Sequence, residues 1–224
     1  MTGQPAPRYA IYFMPEPSSA LWAYGSRVLG YDAMTGQDML QPEPEFASWT
    51  ADPRRYGFHA TLKAPFSLRN DATESGLVAA ARRFAAQRLV FEADLELSIL
   101  GRFIALTNVQ PCEPLARLAG DCVRYFDEFR APLSAEDRER RLNHVLPPRQ
   151  TENLERWGYP YVFEDFTFHM TLSNSLDAGP RANFMRTLGE IPLDHRQVFD
   201  AIAIFIQPGP EARFRVLERV RFGG

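Results

Sequence analysis

The sequence predicts an α+β fold of antiparallel strands packed with helices, and three features predict it. Segments in which apolar and polar residues alternate are interspersed with segments whose apolar residues recur every three or four positions. The order strand, helix, strand, strand occurs twice. Each occurrence opens on the same pattern, Phe58-His59-Ala60-Thr61-Leu62 and Phe168-His169-Met170-Thr171-Leu172, with the histidines 110 residues apart in a chain of 224.

Residues 8–13 are rich in aromatic and β-branched side chains and stop before Pro15, which predicts a strand. Residues 18–29 predict a helix, with Ser18 or Ser19 as N-cap and Gly30 as its stop. Residues 31–56 carry turn and proline signals with little periodicity and are expected to form a long connecting loop. Residues 58–66 predict a strand, and residues 71–88, with Leu77, Val78, Ala81, Phe84 and Ala85 on one face, a helix. Residues 89–100, in which Phe91, Ala93, Leu95 and Leu97 alternate with Glu92, Asp94, Glu96 and Ser98, predict a strand that turns at Gly101-Arg102 into a hairpin partner over 103–109. Helices are expected over 112–130 and 134–157, the second interrupted near Pro147-Pro148. A strand over 166–176, a short helix over 180–189 and a strand pair, 196–207 with 212–222, across Pro208-Gly209-Pro210 complete the chain.

Composition narrows the function. A chain this long, 45% hydrophobic and 24% charged, buries a sizeable core without disulfides or a structural metal. Cys112 and Cys122 lie ten apart, a spacing that fits neither a redox pair nor a zinc knuckle, and read as idle thiols. The short polar N-terminus and the lack of a long apolar run predict a cytoplasmic protein with no membrane partner. A net charge of −3 argues against a long nucleic acid and is compatible with a small anionic ligand. Oligomeric state is left open.

The repeated motif carries the chemistry. Alternate strand residues face opposite ways, so His59 with Thr61, and His169 with Thr171, leave one face while their apolar neighbours enter the core. If an approximate two-fold relates the motifs, those polar faces meet across a cleft. An imidazole titrates near pH 6.5, so one of a pair can take a proton while the other gives one. Phosphodiester hydrolysis needs both acts, and the threonine hydroxyls suit the non-bridging oxygens where charge gathers. Lys63, the only lysine beside 24 arginines, continues the face of residues 59 and 61 and is expected to neutralise a phosphate. Tyr12 and Tyr56 are expected at the ligand, with Trp157 and Tyr161 as further candidates for the cleft or the core. His144 and His195 have no partner signature and are expected to be structural. The motifs offer no third ligand at a metal-site spacing, so neither a metal nor another cofactor is expected.

The paired His-x-Thr-Leu strands resemble the signature of the two-histidine phosphoesterase superfamily, which includes 2′,3′-cyclic nucleotide phosphodiesterases and 2′-5′ RNA ligase-like proteins. The wider stretches Arg8-Tyr9-Ala10-Ile11-Tyr12-Phe13, residues 52–66 and Arg156-Trp157-Gly158-Tyr159-Pro160-Tyr161 resemble its bacterial branch found beside phosphonate-degradation genes. The resemblance spans nearly the whole chain. It implies a single bilobal unit of two ferredoxin-like halves, one carrying His59 and one His169, whose antiparallel sheets face a central cleft with helices outside. It implies that the histidines act as acid and base, that Thr61 and Thr171 hold the phosphate, and that the ligand is a small cyclic phosphodiester such as 5-phosphoribosyl 1,2-cyclic phosphate. Two other functions compete: RNA end processing by 2′,3′-cyclic phosphate opening or 2′-5′ ligation, and binding of a phosphorylated sugar without turnover.

Overall fold

The computed structural model describes residues 6–134, 137–139, 146–192 and 194–224; His144 lies outside them. Strand β1 spans Arg8–Phe13 and helix α1 Ala20–Leu29. The Ser19 hydroxyl caps α1 by accepting from the Trp22 N–H at 3.1 Å, and Gly30 ends it in the left-handed region at φ 70°. The expected connecting loop holds a two-residue hairpin, β2 (Tyr31–Asp32) with β3 (Gln37–Asp38), and two single-turn helices, α2 (Phe46–Trp49) and α3 (Ala51–Arg54). The histidine-bearing segment then leads into β4 (Ala60–Ser67), α4 (Glu74–Ala85), β5 (Phe91–Leu100) and β6 (Phe103–Asn108).

After β6 come α5 (Glu113–Tyr125) and α6 (Pro148–Trp157). Of the helix expected over 134–157, residues 137–139 are helical and residues 135–136 and 140–145 lie outside those described; the Pro147-Pro148 pair begins α6, because proline lacks the N–H that the first helical turn leaves unbonded anyway. Only Met170–Thr171, β7, is strand in the segment expected to be extended over 166–176; α7 (Ala178–Gly189) follows. The expected strand over 196–207 is broken at Asp200 into β8 (Arg196–Phe199) and β9 (Ala201–Gln207), and β9 forms a hairpin with β10 (Arg215–Arg221).

The fold is α+β, and the two sheets expected on either side of a cleft are joined into one antiparallel sheet of eight strands, β10-β9-β1-β4-β7-β6-β5-β8. The four strands from β10 to β4 make one side and those from β7 to β8 the other. The repeats are exchanged between these sides: β5, which follows β4 and α4, pairs with β6, whereas β9, which follows β7 and α7, pairs with β1. β8 ends the sheet while β9 stands next to the opposite end, yet only Asp200 separates them in the chain. Two neighbouring residues cannot be far apart, so the sheet curls until its ends approach. Phe13 and Phe199 rings meet there at 4.2 Å and Phe168 packs on Phe199 at 5.5 Å. Arg219 of β10, its side chain 7% exposed, clamps the crossing by pairing with Asp200 at 2.5 Å and Glu16 at 2.8 Å.

The apolar halves of the two motifs are core. Phe58, Ala60 and Leu62 are 0%, 1% and 2% exposed, and Phe168, Met170 and Leu172 are equally buried. Phe58 packs so closely on α1 that a Cβ at Gly25 would lie 2.2 Å from its ring. Alanine at an interior helix position is better than glycine by about 1 kcal/mol, but overpacking a core costs about 1–3 kcal/mol, so the clash wins. Gly25→Ala is therefore expected to lower the midpoint of urea unfolding and, by displacing Phe58 beside His59, to perturb the His59 imidazole resonances; an equal or raised midpoint would contradict this packing.

Candidate active site

The site is set by one pair of opposed residues. β4 runs antiparallel to β7 with Ala60 opposite Met170. Opposed residues of an antiparallel pair share a face, and their neighbours in sequence share the other. Ala60 and Met170 are both buried, so His59, Thr61, His169 and Thr171 all leave the opposite face. Continuing the register puts His59 across from Thr171 and Thr61 across from His169. The histidines are then diagonal neighbours, with Cα atoms about 7–8 Å apart.

Both imidazoles are held alike. His59 Nδ1 lies 2.8 Å from the Gly57 carbonyl oxygen and His169 Nδ1 lies 2.8 Å from the Thr167 carbonyl oxygen. A carbonyl only accepts, so each Nδ1 carries the proton and donates it. In the neutral ring Nε2 is then the free base, and in the imidazolium it is a donor. The Thr61 hydroxyl is 3.3 Å from His59 Nε2 and donates to it when the ring is neutral. Gly57 makes this local turn at φ 76°, where a side chain would be strained and would meet Ala33.

Burial favours the neutral rings. It lowers the His59 pKa to about 4, and the nearby charge of His169 pushes the same way against the Gly57 hydrogen bond. Burial lowers His169 as well, opposed by the hydrogen bond to Thr167. The Tyr12 ring covers one face of His59, stacked with centroids 3.8 Å apart and planes 20° apart. Tyr12, expected at the ligand, is only 1% exposed and lines the cavity beside His59.

Two cavities open on this face. One of about 380 Å³ is lined by His59, Thr171, Tyr12, Tyr56, Asp52 and Arg8, among others. The other, of about 440 Å³, is lined by His169, Thr167, Phe103, Tyr161, Phe163 and Asp165, among others. Thr61, Ala64 and Tyr159 line both, so they form one cleft with a waist at Thr61. Tyr56 is 37% exposed and stacks on Phe214 at 5.3 Å. Trp157 lines neither cavity and packs edge-on against Phe163. Asp165 brings little net charge to the wall, because Arg149 bonds both its oxygens, at 2.7 and 2.9 Å, and with Gln150 holds its carboxyl down to about 2.

Lys63 is not on this face, which corrects the expectation from simple alternation. Tyr12 opposes Thr61 and the next β1 residue, Ile11, opposes Lys63, so Leu62 is an extra residue in β4. Such a bulge turns the following side chain over. A second irregularity lies between Lys63 and Phe66, at Pro65, which has no N–H to give a regular ladder. Lys63 Nζ, 3% exposed, donates to the Val123 carbonyl at 3.0 Å and pairs with Asp127 at 3.0 Å. His195 is structural, as expected: its Nδ1 donates to the Leu95 carbonyl at 2.7 Å and its own carbonyl accepts from the Leu95 N–H.

Sequence reasoning gave no role to Arg8 or Tyr159, which line the cleft. Both lie in the quoted family-like stretches, and that was their only signal. Among the described residues no three His, Cys, Asp or Glu side chains gather as metal ligands, and no helix is long and apolar enough to cross a membrane.

The imidazoles are directly testable. His59 is expected to titrate near pH 4 and His169 below 6.5, each as the Nδ1–H tautomer, in nitrogen-detected NMR. The folded-state pKa of His59 is depressed, so the stability that its neutral ring contributes is present above about pH 6.5 and is lost as pH falls toward 4. A His59 pKa at or above 6.5 would overturn this description of the site.

The family model described as "Protein of unknown function (DUF1045)" matches residues 61–215, which include Thr61, His169 and Thr171, and the chain belongs to that family. It is 37% identical to a Janthinobacterium sp. (strain Marseille) protein named ribose 1,5-bisphosphate phosphokinase PhnN, over 97% of this chain and 51% of that protein. A protein of the same name from Laribacter hongkongensis is 34% identical over 95% of this chain and 51% of its own length. The chain thus spans about half the length of the curated relatives it matches. Solved structures that it resembles include E. coli LigT complexed with 3′-AMP, at 13% identity and TM-score 0.49 over 98% of this chain and all of that one. Another is TT0787 of Thermus thermophilus, at 15% identity and TM-score 0.47 over 97% of this chain and 98% of that one.

Proposed function

We propose that this chain hydrolyses a small cyclic phosphodiester by paired imidazole acid–base catalysis, with the cleft as one active site. The observation that carries this reading is the Ala60–Met170 pairing, which brings two identical His-x-Thr units onto one face with both Nε2 atoms as the available nitrogens. In the reaction one neutral Nε2 takes a proton from water as the water oxygen bonds to phosphorus. The ring ester bond to phosphorus breaks, and the departing sugar oxygen receives the proton of the other, protonated Nε2. Thr171 donates to a non-bridging oxygen, as does Thr61 once its hydroxyl turns from His59 Nε2 to the ligand. Base, acid and oxyanion donors are all side chains, so the reaction as drawn needs no metal ion. A mere binding module has no use for two matched imidazoles with the same fixed tautomer.

A sugar phosphate matches the size of the cavities, about 380 and 440 Å³. The relatives' name gives further support to one substrate. Opening 5-phosphoribosyl 1,2-cyclic phosphate by breaking the bond between phosphorus and the 2-oxygen leaves phosphates on carbons 1 and 5, and that product is ribose 1,5-bisphosphate. The relatives' kinase activity is not carried over: this chain's single lysine follows Thr61-Leu62 and not a glycine-rich phosphate loop. On this reading the chain supplies the substrate that the relatives' name describes, and it belongs with the two-histidine phosphoesterases of phosphonate degradation.

Turnover of that cyclic phosphate should survive a chelator, and complete loss in EDTA that zinc or manganese restores would make the histidines ligands instead. His59→Ala and His169→Ala should each lower kcat by about 10²- to 10⁴-fold with the fold intact, and the double mutant should lose far less than the product. Activity requires one proton on the pair. Both free-enzyme pKa values lie below 6.5, so kcat/KM should peak below pH 6.5 and fall above it, with limbs that belong to the pair. A bound phosphate anion favours the imidazolium, so the kcat optimum should lie higher. Near-wild-type turnover by either alanine variant, with folding confirmed by circular dichroism, excludes the paired mechanism.

A further inference from the structure

We propose that Arg8 is the specificity-determining contact for a second anionic group of the substrate, a phosphomonoester carried by the same molecule as the cyclic phosphate; this rests on the reading of His59 and His169 given above. Arg8 opens β1 and lines the His59 cavity. It stands on the same side of β1 as Tyr12, four residues away, because the β1–β9 register is regular from Arg8↔Gln207 to Tyr12↔Ala203. Four residues of strand span roughly 13 Å between Cα atoms, and an arginine side chain reaches back over part of that. Arg8 is thus offset along the strand from Tyr12 and the imidazole stacked on it, which suits it to a group at the other end of a sugar from the reacting phosphate.

The way Arg8 is held is the stronger argument. Gln207, 3% exposed, accepts with Oε1 from Arg8 Nε at 2.8 Å and from Nη2 at 2.5 Å. Its Nε2 donates to the carbonyls of Ala212 at 2.8 Å and Pro210 at 3.2 Å. Those carbonyls only accept, so the amide cannot flip and its oxygen must face Arg8. The guanidinium is therefore fixed by a buried neutral acceptor along one edge, which positions it without cancelling its charge. The edge formed by Nη1 and Nη2 keeps the fork geometry that grips a phosphate.

Other charges near the cleft are treated differently. Lys63 and Arg130 share Asp127, and Asp165 is held by Arg149. Among the described residues no carboxylate pairs with Arg8. The other charge in the same cavity, Asp52, is exposed on α3 and forms no ion pair with Arg8 among those residues. A ligand phosphomonoester is the partner that the arrangement leaves room for.

The test compares wild type, Arg8→Gln and Arg8→Lys on 5-phosphoribosyl 1,2-cyclic phosphate and on ribose 1,2-cyclic phosphate, which lacks the 5-phosphate. Calorimetric titration with ribose 5-phosphate is run in parallel. Wild type should prefer the phosphorylated substrate in kcat/KM, and Arg8→Gln should shrink that preference by roughly 10- to 100-fold, the span of a charge-assisted contact. Arg8→Lys, which keeps the charge and loses the fork, should fall between. Ribose 5-phosphate should bind Arg8→Gln at least tenfold more weakly than wild type. Equal losses on the two substrates would make Arg8 a general contact and overturn the proposal, as would unchanged ribose 5-phosphate binding in Arg8→Gln. If wild type opens neither cyclic phosphate, the hydrolytic reading fails, and the ribose 5-phosphate titration alone decides the role of Arg8. Should Arg8→Gln fail to fold, the Arg8→Lys comparison decides it.

Discussion

The functional face depends on the backbone pairing of Ala60 with Met170. Two strands from distant parts of the chain meet there edge to edge, and their opposed small and flexible apolar residues vanish into the core. Everything polar in the two motifs is thereby forced onto the other side. A slip of one residue by either strand would bury that strand's imidazole and expose its own phenylalanine, Phe58 or Phe168, which ties the integrity of the site to the hydrophobic core behind it. The exchange of β5 and β9 between the two sides of the sheet strengthens the tie. Neither repeat completes its own sheet, so neither lobe is expected to hold its histidine without the other.

The two-fold resemblance of the motifs is local, and the surroundings differ in ways that matter chemically. His59 is covered by Tyr12 and touched by the Thr61 hydroxyl, whereas the aromatic neighbour of His169 is Phe103, tilted and 5.8 Å away. Burial therefore lowers the two pKa values in different settings. An acid–base pair needs its members to differ in protonation at one moment, and unequal settings around equal side chains are a way to reach that.

The bulged β4 shows how local backbone geometry decides a residue's chemistry. Thr61 and Lys63 are two apart, and in a regular strand they would share a face. The extra residue at Leu62 sends the ammonium to Asp127 and the Val123 carbonyl, where it ties the strand to α5 and the turn after it. The cation that lines the cleft instead, Arg8, comes from the neighbouring strand. It is held by Gln207 of the strand beyond, from the far end of the chain.

The sequence alone determined the repeated His-x-Thr units, the alternation that separates their polar and apolar faces, and most helices and strands. All of these are set by interactions between residues close in the chain. Ser19 and Gly30 bounded α1, and Gly101 marked the turn between β5 and β6, because caps and turns satisfy their own backbone groups locally. Tertiary structure decided what depends on partners far away in sequence. The split at Asp200 follows from one chain segment serving both ends of a curled sheet. The turning of Lys63 follows from a register that only β1 imposes. The fixing of Arg8 follows from a glutamine 199 positions later. Periodicity reports which way a regular strand faces, but it carries no information about which strand lies alongside, and that neighbour placed the charges of the cleft.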